Sequence, residues 1–264
     1  MNTHLMEIAM LFDVPEVIGH RGAGRGNGST GDVRENTPES FQTAVRQGAD
    51  WIELDVHRSA EGTLFLHHDG ALPDGRAIVR LADDDCRAAG LFTLDEGLEA
   101  IPADFPLNIE VKSVMEDASD SPERRTVALA LPYLAREARR RRLFPSSFDP
   151  GVVLAVRTAL PHLTVGWMAW VRGPLDLVVP GAAGLGCSAV GVDYRSLGLP
   201  DGPVPAHRGI SDVLEIAHDA GMQAYAWNPD PASAAALVRA GFDAVCVDDV
   251  PGTLDELRAT PDAT

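Results

Sequence analysis

Five polar clusters carry residue types able to do acid–base or metal chemistry: His20-Arg21-Gly22, Glu35-Asn36-Thr37, Glu53-Leu54-Asp55, His68-Asp69 and Glu110-Val111-Lys112. Glu53 and Asp55 stand two apart in a run whose alternate positions are Ile52, Leu54 and Val56. On a strand, that spacing sends both carboxylates to one face and the apolar side chains to the other. Two carboxylates turned into a protein interior repel and lose hydration, a penalty that a cation between them removes; on a solvated edge strand no cation would be needed. Glu110 and Lys112 repeat the pattern, with Ile109 and Val111 facing away. Glu53, Asp55 and Glu110 on neighbouring strands would make an oxygen cage suited to one divalent cation, Mg2+ or Ca2+; without thiolates or clustered imidazoles, zinc is less natural. Lys112 would then stand beside the metal, where a phosphate oxygen can bridge both. The competing arrangement is a plain ion-pair lattice of these four side chains. Lys112 is the sole lysine among 22 basic residues, either a position chosen for a compact point charge or a survivor in an arginine-rich background.

His20 ends an apolar run and precedes a glycine-rich loop, and Arg21 beside it can clamp a phosphate through two hydrogen bonds. Two imidazoles near a phosphate, His20 and His68, divide naturally into general base and general acid because both titrate near neutrality. Glu35-Asn36-Thr37 opens a helix. Thr37 is its cap, and residues just before it overhang the same site, so Glu35 could join the metal and Asn36 the substrate; plain capping is the alternative.

The elements that would position these groups alternate between short apolar runs and amphipathic stretches. The runs are Val17–Gly19, Trp51–Val56, Leu107–Val111, Leu143–Ser147, Thr164–Met168, Ala189–Asp193, Gln223–Trp227 and Ala244–Val247, eight in all. Eight is the number that closes a parallel (β/α) barrel, whose chemistry gathers at the C-terminal ends of its strands. Thr37-Pro38, Asp149-Pro150 and Asp230-Pro231 read as helix starts, and Gly48, Gly221 and Gly241 as helix ends. A further run, Thr63–Leu66, follows the second strand too closely for a parallel crossover and predicts an antiparallel hairpin. With Glu61-Gly62 as a two-residue turn, Ala60 faces Thr63 and Asp55 lies directly opposite His68; a slip of one residue would present His67 instead. No sequence repeat or linker interrupts the chain, so residues 1–264 read as one domain.

Composition bounds the remaining classes. Apolar residues make up 45% of the chain and charged residues 23%, with a formal net charge of −17, which argues against a nucleic-acid or anionic-membrane footprint. No apolar stretch reaches the roughly 18 residues of a membrane span, and the first residues lack a basic segment before an apolar one; a cytoplasmic protein without stable membrane association is expected. Cys86, Cys187 and Cys246 are widely spaced and predict buried thiols in a reducing compartment. Gly26-Asn27-Gly28-Ser29-Thr30-Gly31 mimics a dinucleotide-binding loop, and a nicotinamide-dependent oxidoreductase would rest on it alone; its third glycine does not open a helix.

Taken in order, the five polar motifs, continuing through Ser146-Ser147-Phe148-Asp149, Trp227-Asn228 and Gly241-Phe242-Asp243 to Pro251, resemble the glycerophosphodiester phosphodiesterase family. The resemblance implies a TIM barrel, here with a β-hairpin after the second strand. It also implies hydrolysis of a small glycerol phosphodiester to glycerol 3-phosphate and an alcohol, a reaction of lipid metabolism. It assigns the metal to Glu53, Asp55 and Glu110 with Glu35 added, acid–base catalysis to His20 and His68, phosphate binding to Arg21 and Lys112, and a pocket wall against the glycerol carbons to Trp227. Rival readings are a lysophospholipase D or sphingomyelinase D-like enzyme, which would want an apolar rim on its loops, and a non-catalytic barrel that binds phosphate esters. The chain departs from the family pattern in four places: a long Gly22–Arg34 loop with Arg34 before Glu35, a short Asp69–Leu107 stretch, Trp227-Asn228-Pro229-Asp230, and Asp248-Asp249. All four fall where the glycerol or alcohol group would bind.

Overall fold

The computed structural model describes residues 10–13, 15–25, 33–171, 173–197 and 209–259; the glycine-rich 26–31 segment lies outside them. In chain order the elements are β1 (Glu16–Gly19), α1 (Pro38–Gln47), β2 (Trp51–Arg58), β3 (Leu64–Leu66), α2 (Asp83–Ala88), α3 (Leu94–Ala100), β4 (Leu107–Val111), α4 (Thr126–Glu137), β5 (Leu143–Ser147) and α5 (Pro150–Ala159). They continue with β6 (Gly166–Met168), α6 (Leu175–Gly184), β7 (Ala189–Asp193), α7 (Ile210–Asp219), β8 (Gln223–Trp227), α8 (Pro231–Arg239), β9 (Ala244–Val247) and α9 (Val250–Ala259). Eight parallel strands close a ring in which β1 pairs with both β2 and β9, and β3 hydrogen-bonds antiparallel to β2 outside the ring. This is a TIM barrel with a hairpin excursion after its second strand.

The caps read from sequence do their work. The side chains of Thr37, Asp149 and Asp230 accept hydrogen bonds from Ser40, Gly151 and Ser233 backbone N–H groups, with proline opening each helix. Ile52, Leu54, Val56, Ile109 and Val111 join the apolar layer between strands and helices, so the alternate residues of β2 and β4 turn into the barrel. Its lower interior is aromatic: Phe12, brought in by the segment before β1, packs edge-on against Trp51 and Phe144, and Tyr225 closes the cluster. The polar inward residues of β2 and β4 lie above this plug, and Glu53 is set beside Asn108 and Asp55 beside Glu110 by the parallel register.

The hairpin register differs from the expected one. Val56 pairs with Leu66, His57 with Phe65 and Arg58 with Leu64, one residue away from the pairing that placed Asp55 opposite His68. The cause is the turn. Ser59 N–H donates to Thr63 C=O at 2.9 Å, leaving three loop residues rather than two, and the last, Gly62, takes φ 92°. A three-residue loop closing on a left-handed residue favours glycine there. His67, not His68, is therefore Asp55's ladder neighbour, with its N–H 3.2 Å from Asp55 C=O.

Candidate active site

At the upper end of the barrel interior, one oxygen each from Glu53, Asp55 and Glu110 lie within 4.8 Å of one another. All three residues are buried, Asp55 completely. Lys112 Nζ is 2.8 Å from Asp55 Oδ1 and also contacts Glu110 Oε1. Arg21 N–H donates to Glu53 Oε2 at 2.6 Å, and Arg21 Nε is 3.6 Å from Asp55 Oδ2. Glu53 Oε1 is buried with no hydrogen-bond partner.

Two cations do not balance this density of acid. Burial, reinforced by the charges of Asp55 and Glu110, pushes Glu53 well above the usual carboxylate range. Burial also raises Glu110, to about 7, although Lys112 pulls the other way. Asp55 is the exception: burial opposes its ionisation, but Lys112 and then Arg21 outweigh it and hold it well below the usual range. Burial opposes the charge on Lys112 too, and Asp55 with Glu110 more than restores it. Three converging buried carboxylates, of which Glu53 and Glu110 are held toward protonation and Glu53 keeps an unpartnered oxygen, make a set of oxygen donors whose charge a cation would stabilise. The donor set fits a hard divalent ion.

The two histidines expected at the site are positioned differently. His20, just past β1, has Nδ1 2.7 Å from Asp248 Oδ1 at the end of β9. Its Nε2 accepts from Arg21 Nε at 3.3 Å. Burial lowers its pKa, with the Asp248 hydrogen bond working against that. His68 comes from beyond β3, off the ladder, with Nδ1 2.8 Å from Asp69 Oδ1. The register route to His68 fails, yet its ring still responds to the cluster: burial lowers its pKa, Asp55 raises it, and Lys112 and Arg21 lower it. His67 instead has Nδ1 2.8 Å from Asp69 C=O.

Arg21 and Asn36 share an unusual backbone, each with φ 54°. Asn36, read from sequence as a substrate contact, donates from Nδ2 to Asp55 Oδ2 at 2.8 Å and accepts at Oδ1 from Asp55 N–H at 3.0 Å, so both ends of the amide brace Asp55. Glu35 stands apart from the three clustered carboxylates, receiving both its hydrogen bonds, at 2.9 Å, from Arg21 Nη1. Burial opposes the charge on Arg21, while Asp55, Glu35 and Glu53 more than compensate. Trp227 is half-buried at the end of β8, its Nε1 without a partner, and its ring meets Phe148 edge-on at 5.6 Å.

Three neighbours of the site are given no chemical role by the sequence, where Asp248 stands only as a departure from the family pattern and Phe148 only within a motif. Asp248 directly follows β9, a place where barrel chemistry gathers; Gly24, at φ 84°, packs so closely that a Cβ would collide with the Asp248 backbone. His57 follows Glu53 and Asp55 on the same face of β2, and its Nε2 lies 3.1 Å from the His68 carbonyl. Phe148 carries Lys112 Nζ 5.9 Å above its ring.

Residues 20–251 match the Glycerophosphoryl diester phosphodiesterase family. A glycerophosphodiester phosphodiesterase of Caldanaerobacter subterraneus subsp. tengcongensis is 26% identical, over 91% of this chain and 96% of its own. Among solved structures, an Oleispira antarctica phosphodiesterase in complex with the product sn-glycerol-3-phosphate superposes with TM-score 0.73 at 22% identity, covering 93% of this chain and 97% of that one. A Thermotoga maritima glycerophosphodiester phosphodiesterase gives TM-score 0.69 at 22% identity, covering 91% and 97%.

Proposed function

Because the chain belongs to the glycerophosphoryl diester phosphodiesterase family, and is thereby a phosphoric diester hydrolase, we propose that it uses Glu53, Asp55 and Glu110 to hold one divalent cation and His20 and His68 as an acid–base pair. The observation that carries this reading is the convergence of three buried carboxylates, one with an unpartnered oxygen, within electrostatic reach of both imidazoles. When bound, Mg2+ or Ca2+ supplies positive charge to the phosphodiester's non-bridging oxygens.

The protein's own groups do the rest. Arg21 and Lys112 present cations at the rim of the carboxylate cluster, where a phosphate oxygen can draw on both. Asn36 fixes the rotation of the Asp55 carboxylate, and Glu35 holds the Arg21 guanidinium in place. In the neutral tautomer that donates Nδ1–H to Asp248, His20 keeps a lone pair on Nε2, the atom facing Arg21. His20 is accordingly assigned as the base, and His68, braced by Asp69, as the acid that protonates the leaving alkoxide. Net turnover consumes one water and yields glycerol 3-phosphate and an alcohol. Trp227 lines the pocket against the glycerol carbons.

The three cysteines are free and buried, which supports a reducing, cytoplasmic setting. Among the described residues no helix is long and apolar enough to cross a membrane. The assay is release of glycerol 3-phosphate from glycerophosphocholine. His20→Ala and His68→Ala are each expected to lower kcat by about a hundredfold or more. Full activity in either variant would remove that histidine from the mechanism.

A further inference from the structure

Arg25 has no part in the mechanism above, yet it completes a line of contacts that begins at His20. Asp248 gives His20 Nδ1 only one of its oxygens, Oδ1, at 2.7 Å. The other oxygen, Oδ2, is held by Arg25 from two nitrogens, Nε at 2.6 Å and Nη2 at 2.5 Å. Arg25 Nη2 also donates to Asn228 Oδ1 at 2.6 Å. The four residues come from three neighbouring strands of the ring: His20 and Arg25 follow β1, Asn228 follows β8 and Asp248 follows β9. Arg25, Asn228 and Asp248 each fall in a stretch where the chain departs from the family pattern, so the resemblance does not supply this arrangement.

The backbone is shaped to hold it. Gly24, at φ 84°, would put a Cβ 2.0 Å from the Asp248 carbonyl oxygen, so only glycine lets Arg25 come this near. The Gly24 N–H donates to His20 C=O at 3.0 Å, closing the turn that leads from the imidazole to the guanidinium. Asn228 takes φ 67°, a left-handed conformation in which asparagine is enriched, and its N–H donates to Cys246 C=O at 2.8 Å. Two uncommon backbone positions thus converge on one guanidinium.

Resting on the phosphodiesterase reading above, in which His20 is the base, we infer that Arg25 is a positioning residue for the reaction. Anchored on Asn228, it fixes the Asp248 carboxylate so that Oδ1 stays on His20 Nδ1. A carboxylate held at one oxygen alone turns readily about its last bond, and the imidazole is free to follow. Held at both oxygens, it keeps the ring plane and the tautomer together, as a base that needs an orienting third group requires. Charge acts in the same direction. Burial opposes ionisation of Asp248, and His20 and Arg25 restore it. Around His20, burial lowers the pKa, Asp248 raises it, Arg21 lowers it and Asp55 raises it. Arg25 offsets the charge of Asp248, so without Arg25 the imidazole holds a proton more tightly and is less available as a base.

The test uses the full chain with saturating Mg2+ or Ca2+ and reads glycerol 3-phosphate released from glycerophosphocholine. Arg25→Met removes the charge and the donors, while Arg25→Lys keeps the charge and one point of contact. Arg25→Met should lower kcat about tenfold with KM changed less than about twofold, and Arg25→Lys should recover most of that loss. The acid limb of the kcat/KM profile should move up by about half a pH unit in Arg25→Met and stay in place in Arg25→Lys. Proton–nitrogen correlation spectra of the histidine rings, recorded above the acid limb, should place the His20 proton on Nδ1 in the wild type. In Arg25→Met that proton should be shared between the two nitrogens. A wild-type kcat in Arg25→Met, or an unmoved acid limb and tautomer, overturns the inference and leaves the phosphodiesterase reading intact. A loss confined to KM also overturns it, and makes Arg25 a substrate contact in the adjoining recess of about 440 Å³. Wild-type protein that releases no glycerol 3-phosphate overturns both.

Discussion

His20 Nδ1 lies 2.7 Å from Asp248 Oδ1, and Arg25 Nε holds the other oxygen of the same carboxylate at 2.6 Å. The contact spans nearly the whole sequence and exists because β1 pairs with β9 when the barrel closes. Burial opposes ionisation of Asp248, but the His20 hydrogen bond and charge, with Arg25, bring its pKa down to about 2. The carboxylate selects the His20 tautomer that carries its proton on Nδ1, leaving Nε2 as the lone-pair atom that accepts from Arg21 Nε. Asp248→Asn removes that selection, since an amide can as readily donate to Nδ1. We expect kcat to fall by about ten- to a hundredfold with KM little changed and the circular dichroism spectrum intact. An unchanged kcat would show that Asp248 does not orient His20.

Lys112 neutralises a site that is otherwise all carboxylate at its centre. Lys112→Met leaves Asp55 and Glu110 buried against each other, and loss of one partner from a buried pair costs about 3 kcal/mol or more. Urea denaturation in the presence of chelator should show that loss, and excess Mg2+ or Ca2+ should recover part of it. Equal stability of variant and wild type in chelator would contradict the electrostatic account of the cluster.

His57 gives a pH signature separable from catalysis. Burial lowers its pKa from 6.5 to about 4, and its Nε2 is 3.1 Å from the His68 carbonyl. The unfolded chain binds a proton near pH 6.5 that the folded chain refuses until about pH 4, so stability rises with pH across that window. The contribution is complete above pH 6.5 and is lost progressively toward pH 4, about 3 kcal/mol in all. His57→Gln keeps a donor for the carbonyl but cannot titrate. Urea melts at several pH values should show a flatter acid limb for the variant than for the wild type. Identical slopes would mean that His57 is not held neutral.

Much of this site was legible because parallel strands buried on both faces read as apolar runs, and a polar residue at every second place then stands out. Glu53, Asp55, Glu110 and Lys112 were found that way, and the register of β2 on β4 brings them together as expected. The hairpin register was not legible. Nothing local decides whether Glu61-Gly62 or Ala60-Glu61-Gly62 forms the turn, and the difference of one residue exchanges His67 for His68 opposite Asp55. Asn36 reads from sequence as the neighbour of a cap; only its left-handed backbone, beside that of Arg21, turns its amide onto Asp55. The stack of Trp170 on Phe148 joins two loops that no sequence pattern links.

The central claim is that Glu53, Asp55 and Glu110 form one divalent-cation site on which hydrolysis depends. Isothermal titration of Mg2+ or Ca2+ into the chelator-treated protein, run beside turnover of glycerophosphocholine at the same metal concentrations, tests it most directly. The account predicts one site per chain, activity that appears in proportion to its occupancy, and loss of both in Glu53→Gln. Full turnover in excess chelator, or metal binding undiminished in Glu53→Gln, would contradict it.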